Sequence, residues 1–191
     1  MQEINDKVGQ KTGFCQWRDS QSVINWFDEI STKKKKKSLK FDIVDFYPSI
    51  TKSLLIKSLE YAKTHTDICD EQVDIIMHAR KSLLFDSSGT WIKKNDNDLF
   101  DVTQGSYDGA EVCETVGLFL LSMLEERFGK GYVGLYRDDG LALLPYSSGP
   151  AAERSRKDIV KIFDSVHLKI TTETNLTSTD FLDNNLDLKN N

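Results

Sequence analysis

Hydrophobic residues recur every three or four positions in five stretches of the chain, a spacing typical of helices with one buried face. Residues that favour helix caps stand at several of their starts. The predicted helices cover residues 20–30, 51–63, 70–84, 110–128 and 150–166, with Asp70 as the cap of the third. The first dozen residues are polar, and we expect them to be poorly ordered.

Short apolar runs bounded by turn residues predict strands between these helices. They cover residues 39–46, 90–93, 99–103, 168–172 and 180–188, and a polar loop, residues 94–98, joins the second and third. Two further runs, 132–135 and 141–144, predict a hairpin around Asp139-Gly140, because glycine adopts positive φ readily in tight turns. This order of elements predicts an α+β fold, with helices on one face of a mainly antiparallel sheet.

Length and composition narrow the class of protein. A chain of 191 residues can form one sizeable core. It has neither an apolar run of membrane-spanning length nor a signal-peptide pattern, so we expect no membrane partner. Cys15, Cys69 and Cys113 are too widely spaced for a disulfide framework or a zinc site, which indicates an intracellular location, in the cytoplasm or nucleus.

Charge is distributed unevenly along the chain. The formal net charge is −5, but residues 1–40 hold nine Lys and Arg against five Asp and Glu. The remainder holds sixteen against twenty-five. A basic arm therefore precedes an acidic body. Its lysine run, Lys33 to Lys37, either contacts phosphates or forms a solvated loop.

Three acidic residues occupy unusual positions. Asp42 lies inside an apolar predicted strand, and Asp138 and Asp139 are adjacent at the predicted hairpin. Aspartate is rarely buried unless it is paired or binds a metal. Neighbouring strands could bring the three carboxylates together as ligands for two Mg²⁺ ions. The alternative is a surface hairpin whose aspartates suit its turn.

A glycine-rich stretch, residues 104–109, precedes the predicted helix 110–128. Glycine lets a ligand approach the backbone, and a helix N-terminus offers free N–H donors. The stretch matches neither a P-loop nor a dinucleotide-binding fingerprint.

Three stretches, in this order, resemble motifs A, B and C of reverse transcriptases. They are Phe41-Asp42-Ile43-Val44-Asp45-Phe46-Tyr47, Gln104-Gly105 and Tyr136-Arg137-Asp138-Asp139. Leu168-Lys169-Ile170 and Phe181-Leu182-Asp183 are similar to motifs D and E. The Phe-Leu-Asp form is closer to retroelement enzymes of the Penelope or related cellular groups than to retroviral ones. The resemblance covers about residues 38–188.

The resemblance implies an RNA-directed DNA polymerase that adds dNTPs to a primer on an RNA or DNA template. Asp42, Asp138 and Asp139 would be catalytic and would bind two Mg²⁺ ions, for which Mn²⁺ could substitute. The carbonyl of Ile43 would be a further metal ligand. Tyr47 would exclude the 2′-hydroxyl of ribonucleotides.

The same resemblance assigns the other contacts and the domains. Gln104 and Gly105 would contact the incoming nucleotide and the template. The nucleic acid would also be contacted by Arg137 and by Lys33 to Lys37. Residues 1–37 would be an N-terminal helix and basic arm, forming shortened fingers, and 38–191 the polymerase palm. We expect no thumb, RNase H or endonuclease module.

Two alternatives remain open. The chain could be a palm fragment that binds nucleic acid or a partner without turnover, since its fingers are short and no thumb is expected. It could instead be related to family B DNA polymerases, whose first motif is similar to Asp42 with Tyr47-Pro48-Ser49-Ile50. RNA-directed RNA polymerases belong to the same alternative, although they lack a bulky residue at the position of Tyr47.

Overall fold

The computed structural model describes residues 1–81, 84–91, 100–145 and 149–189. Its helices are α1 (Gln2–Thr12), α2 (Ser20–Glu29), α3 (Phe46–Ser49), α4 (Lys52–Lys63), α5 (Asp70–His78), α6 (Gly109–Phe128) and α7 (Gly149–Asp164). Its strands are β1 (Cys15–Gln16), β2 (Lys36–Ile43), β3 (Leu84–Asp86), β4 (Gly89–Trp91), β5 (Val133–Tyr136), β6 (Asp139–Pro145), β7 (Ile170–Leu176), β8 (Ser178–Phe181) and β9 (Asn184–Asp187).

The chain divides into two compact units. A helical unit comprises Met1–Thr12 and Asp45–Phe119, and a sheet unit comprises Gly13–Val44 and Leu120–Asn191. The predicted boundary between residues 37 and 38 does not coincide with a boundary of these units. Helix α1 contacts α4, which follows that boundary, and Lys36 and Lys37 already belong to β2. The assignment of residues 1–37 to fingers and 38–191 to a palm stays a prediction.

Helix α4 organises the helical unit as the spacing predicts. The Thr51 hydroxyl caps it by accepting a hydrogen bond from the Leu54 amide at 3.1 Å. The predicted inward residues of α4 are buried: Leu54, Leu55, Leu59 and Ala62. Helix α5 is shorter than predicted and ends at His78, and its N-cap is Cys69 rather than Asp70.

The expectation of a disordered N-terminus is wrong, because Gln2–Thr12 forms α1. Val8 on this helix is fully buried. The buried Asn5 side chain donates to the Glu111 carbonyl at 2.9 Å and accepts from the Thr115 hydroxyl at 2.7 Å. A buried amide with both of its groups paired anchors a helix that is otherwise polar.

The region before α6 differs in part from the prediction. Strands β3 and β4 form an antiparallel hairpin, with Ser87 and Ser88 in the turn between them. Within the described part of the predicted strand 99–103, Phe100 makes one isolated bridge to Lys81. The predicted polar loop 94–98 lies outside the described residues.

The sheet unit contains a five-stranded sheet in the order β1-β5-β6-β2-β7. Its pairs are antiparallel except β1 with β5, which is parallel. The predicted α+β fold is therefore confirmed. Strand β2 lies between β6 and β7, and its alternation places Leu39, Phe41 and Ile43 on one face and Lys40 and Asp42 on the other.

Both faces of the sheet are packed. On the face of Phe41, its ring lies 5.4 Å from that of Phe163 on α7. On the opposite face, Leu141 and Leu143 of β6 join a cluster that extends to α2 and the β8–β9 hairpin. The members of this cluster are Trp17, Val23, Trp26, Phe27, Leu141, Leu143, Phe181, Leu186 and Leu188. Helix α2 thus adds a layer that the sequence did not predict.

Two local predictions in the sheet unit are wrong. Residues 180–188 form the hairpin β8–β9 instead of one strand, and Leu182 and Asp183 make its turn with φ of 46° and 62°. The lysine run is no loop, because Lys33–Lys35 form a 3₁₀ helix and Lys36 begins β2.

The three cysteines form no disulfide with one another and differ in environment. Cys69 is exposed, Cys113 is buried and Cys15 is half-buried. Burial raises the pKa of the Cys15 thiol to about 11.

None of the helices in the described ranges is long and apolar enough to cross a membrane.

Candidate active site

Asp42 occupies the next-to-last position of strand β2, which lies inside the sheet. Its backbone is opposite Asp139 of β6 on one side and Thr171 of β7 on the other. Directly opposed residues in neighbouring strands project to the same face. The Asp42 and Asp139 side chains therefore share one face of the sheet, as the sequence predicted.

The hairpin β5–β6 brings Asp138 to the same place. Its turn residues are Arg137 and Asp138, between the paired residues Tyr136 and Asp139, and Arg137 has a φ of 53°. The Asp138 carbonyl accepts a hydrogen bond from the Ile43 amide at 2.9 Å. This bond ties the turn to the end of β2, one residue beyond Asp42.

The predicted role of Gly140 is wrong. The turn lies two residues earlier, and Gly140 is a buried strand residue opposite Phe41. A Cβ atom at this position would overlap the Phe41 ring. Glycine is required here because an aromatic ring crosses the backbone.

The carboxylates influence one another. Partial burial, with the nearby charge of Asp138, raises the pKa of Asp42 above its ordinary value. Burial, followed by the charges of Asp138 and Asp42, raises the pKa of Asp139. Lys40, on the same face, opposes both shifts in pKa. The site therefore concentrates negative charge, and one lysine, Lys40, partly offsets this charge.

An open pocket of about 340 Å³ lies over this face. Its lining includes Lys40, Asp42, Asp139, Thr171 and Glu173. The Lys40 ammonium donates to the Asp180 carbonyl of β8 at 3.0 Å, which joins the pocket to the β8–β9 hairpin. The pocket can accommodate a small polar group beside two carboxylates.

The donor set suits a hard divalent cation, because Mg²⁺ prefers carboxylate and carbonyl oxygens. Two carboxylates whose pKa values are raised by burial and by like charge are a chemical fit for such an ion. As the side chains stand, no three His, Cys, Asp or Glu residues in the described ranges form a closed set of metal ligands.

Sequence analysis did not place Lys40, Thr171 and Glu173 in one pocket with the aspartates. The alternation in Ser38-Leu39-Lys40-Phe41-Asp42 was a usable signal for Lys40, since residues two apart in a strand share a face. Thr171 and Glu173 enter through the pairing of β7 with β2, which joins residues about 130 positions apart.

The predicted nucleotide contacts Tyr47, Gln104 and Gly105 belong to the helical unit. Gly105 has a φ of 84°, and Gln104 is exposed. The Tyr47 ring lies 3.6 Å from where a Cβ atom on Gly109 would stand, at the start of α6. Tyr47 therefore adjoins the end of the glycine-rich stretch.

The predicted nucleic-acid contacts have different surroundings. Lys33 is nearly buried, donates to the Asp28 carbonyl at 3.4 Å and lies 4.9 Å from the centre of the Phe27 ring. The Lys36 ammonium lies 3.9 Å from the centre of the Tyr132 ring. Lys34, Lys35 and Arg137 are exposed. Contact of Arg137 and Lys33 to Lys37 with nucleic acid stays a prediction.

The fold has known relatives among solved structures. Over 98% of its length the chain matches telomerase from Candida albicans in complex with a TWJ fragment of telomeric RNA, with a TM-score of 0.69 and 15% identity. It also matches apo telomerase from Candida tropicalis truncated from its C-terminal domain, over 98% of its length, with a TM-score of 0.68 and 12% identity. The sequence matches no protein-family profile and no curated protein.

The chain spans 38% and 43% of these two telomerase chains. It therefore has a fold similar to part of telomerase, which is a polymerase related to reverse transcriptases. At this level of identity the similarity concerns the fold alone.

Proposed function

We propose that this chain carries the nucleotidyl-transfer site of a reverse transcriptase-like polymerase. The observation that supports the proposal most is the opposition of Asp42 and Asp139 on neighbouring strands, with Asp138 in the adjoining turn. Such an acidic arrangement, in a fold similar to part of telomerase, favours templated addition of dNTPs to a primer on an RNA or DNA template.

In the proposed reaction the primer 3′-oxygen attacks the α-phosphorus of the dNTP. The bond from this phosphorus to the bridging oxygen of the β-phosphate breaks, pyrophosphate leaves with the electron pair of that bond, and the primer hydroxyl gives its proton to water. Two bound Mg²⁺ ions, which Mn²⁺ could replace, would lower the hydroxyl pKa and neutralise charge on the phosphates.

The chain's own residues orient these groups. Asp42, Asp138, Asp139 and the carbonyl of Ile43 would hold the cations. Lys40 reduces repulsion between the carboxylates, as its opposing effect on both pKa values indicates. Tyr47 would contact the sugar at C2′ and disfavour ribonucleotides, and Gln104 with Gly105 would contact the incoming nucleotide. Positioning and charge neutralisation would supply most of the rate.

The decisive experiment is primer extension on an RNA template with dNTPs and Mg²⁺ or Mn²⁺. We expect extension by the parent chain, and a loss of at least about a hundredfold in Asp138→Asn/Asp139→Asn, because charge stabilisation at the phosphates is removed. Asp164→Asn, an exposed acid at the end of α7, is the matched control and should retain activity. Equal extension by the double variant would contradict the proposal.

Parallel arms with other substrates distinguish the rival polymerases. A DNA template used to the exclusion of RNA would favour a family B-like enzyme. Extension with ribonucleotides in preference to dNTPs would favour an RNA polymerase and would contradict the assigned role of Tyr47.

A second candidate function is binding without turnover. It is favoured by the open arrangement of the acids, because no three His, Cys, Asp or Glu residues in the described ranges form a closed set of metal ligands. Binding of an RNA–DNA duplex by a folded chain that never extends its primer would support this candidate.

A further inference from the structure

One residue, Arg80, holds both ends of the loop that precedes α6. Its backbone carbonyl accepts a hydrogen bond from the Asp101 amide at 2.8 Å. Its guanidinium forms an ion pair with the Asp108 carboxylate. Asp108 adjoins α6, because its carbonyl accepts from the Val112 amide at 3.0 Å. Residues 101 and 108 are thus fixed to the same point of the helical unit.

The ion pair is largely removed from water. The Arg80 side chain is only 4% exposed and that of Asp108 is 23% exposed. Among the described residues, the buried Arg80 Nε has no hydrogen-bond partner. Well-packed apolar residues of similar volume often replace a buried ion pair without loss of stability, and buried ion pairs fix the conformation of the chain in some proteins. This favours a positional role for Arg80.

The segment between Asp101 and Asp108, the two residues bound to Arg80, includes exposed residues. Gln104, Gly105, Ser106 and Tyr107 are all exposed, and Tyr107 fully so. Local bonds give the segment its shape: the Ser106 amide and hydroxyl donate to the Thr103 carbonyl at 3.1 and 2.8 Å. These bonds join residues within the loop, whereas those of Arg80 join the loop to the rest of its unit.

We propose that Arg80 is the positioning residue that fixes the exposed segment 104–107 for ligand contact. The kinetic part of this inference rests on the proposed function, since Gln104 and Gly105 are the assigned nucleotide contacts. The conformational part does not. Arg80 would act through Asp101 and Asp108, and would touch neither primer nor nucleotide itself.

The test uses the full chain and two readouts. The first is the rate of chymotrypsin cleavage after Tyr107, mapped by mass spectrometry well below the unfolding temperature. We expect Arg80→Met and Asp108→Asn to raise this rate by at least about tenfold, because a loop released at one end opens more often. Arg80→Lys, which keeps the charge, should restore part of the protection.

The matched control is Lys63→Met. It removes an ion pair of the same unit, between Lys63 and Asp70, whose acid is 92% exposed. Cleavage after Tyr107 should not change in this variant. The second readout is primer extension, in which Arg80→Met should raise KM for the dNTP by about tenfold and change kcat by less than about threefold.

The outcomes separate the two hypotheses. If the parent never extends a primer, the proposed function fails, and the cleavage rates still decide the role of Arg80. Unchanged cleavage in a folded Arg80→Met would overturn the inference. If Arg80→Met does not fold, unchanged cleavage in Asp108→Asn overturns it instead. Faster cleavage with an unchanged KM would overturn the kinetic part.

Discussion

Asp42 and Asp139 are directly opposed and both are acidic, an arrangement that disfavours the folded state when both are ionised. Hydrogen bonds or ion pairs lower the pKa of most other carboxyl groups whose pKa is shifted in the described residues. Asp19 and Asp70 are examples. The pKa values of Asp42 and Asp139 are instead raised, so folding acts against their ionised forms.

We expect Asp42→Asn to stabilise the chain at neutral pH. A carboxyl whose pKa is raised by folding stabilises the folded state while protonated, and this contribution is lost as pH rises through the raised pKa. Below pH 3.8, the ordinary pKa of the group, the free energy of unfolding should therefore be the same in the variant and the parent. At pH 7 it should be larger in the variant by about 0.2–1 kcal/mol.

Thermal unfolding of both proteins at several pH values measures this difference. Asp164→Asn is again the control, since it removes an acid outside the pocket. A stability gain that is the same at every pH, or a loss at pH 7, would show that repulsion at Asp42 is not its cause.

At the scale of elements, the hairpin that carries Asp138 and Asp139 depends on close contact between β6 and the Phe41 ring. Gly140 permits this contact, and Gly134 of β5 permits a similar approach of the Trp17 ring. Two neighbouring strands are thus packed against aromatic rings through glycines, which holds the turn between them in place.

Gly140→Ala should destabilise the chain by about 1–3 kcal/mol, because its added methyl group has no room beside Phe41. Gly9→Ala is the matched control. It makes the same chemical change within α1, where a Cβ atom would meet nothing within 4 Å, and should stabilise by about 0.5–1 kcal/mol. Urea denaturation of the three proteins would measure both effects, and effects of equal sign would contradict this account.

The proximity of Asp42 and Asp139 was expected because acidic residues lie in a predicted strand and at a predicted hairpin. Sequence periodicity predicted α4 and α6, because each depends on local spacing. It could not predict the role of Gly140, which depends on pairing between strands about 100 residues apart. It missed α1 because that helix is anchored by a polar group, Asn5, with partners on α6. It missed the β8–β9 turn because Leu182 and Asp183 lack a typical turn signature.

At the scale of the whole molecule, an acidic chain proposed to bind nucleic acid requires cations at the interface. The formal net charge is −5, and the sheet unit presents two carboxylates to one pocket. Bound divalent ions would reverse the local sign of charge and make the approach of phosphates favourable.

Mg²⁺ should therefore stabilise the folded chain. At ten times its dissociation constant the expected gain is about 1.4 kcal/mol, or a rise of about 3–6 °C in Tm. Asp42→Asn/Asp139→Asn should lose this response. KCl at matched ionic strength is the control for general screening, and an equal shift with KCl would contradict a specific site.

The differing environments of the three thiols make the chain suited to spectroscopy without any substitution. Cys69 is exposed, whereas Cys113 is buried and Cys15 has its thiol pKa raised by burial. Because only the thiolate reacts with maleimides, a dye added at neutral pH would attach to Cys69. A single fluorophore just before α5 would then report on nucleic acid that approaches the helical unit, in the unaltered protein.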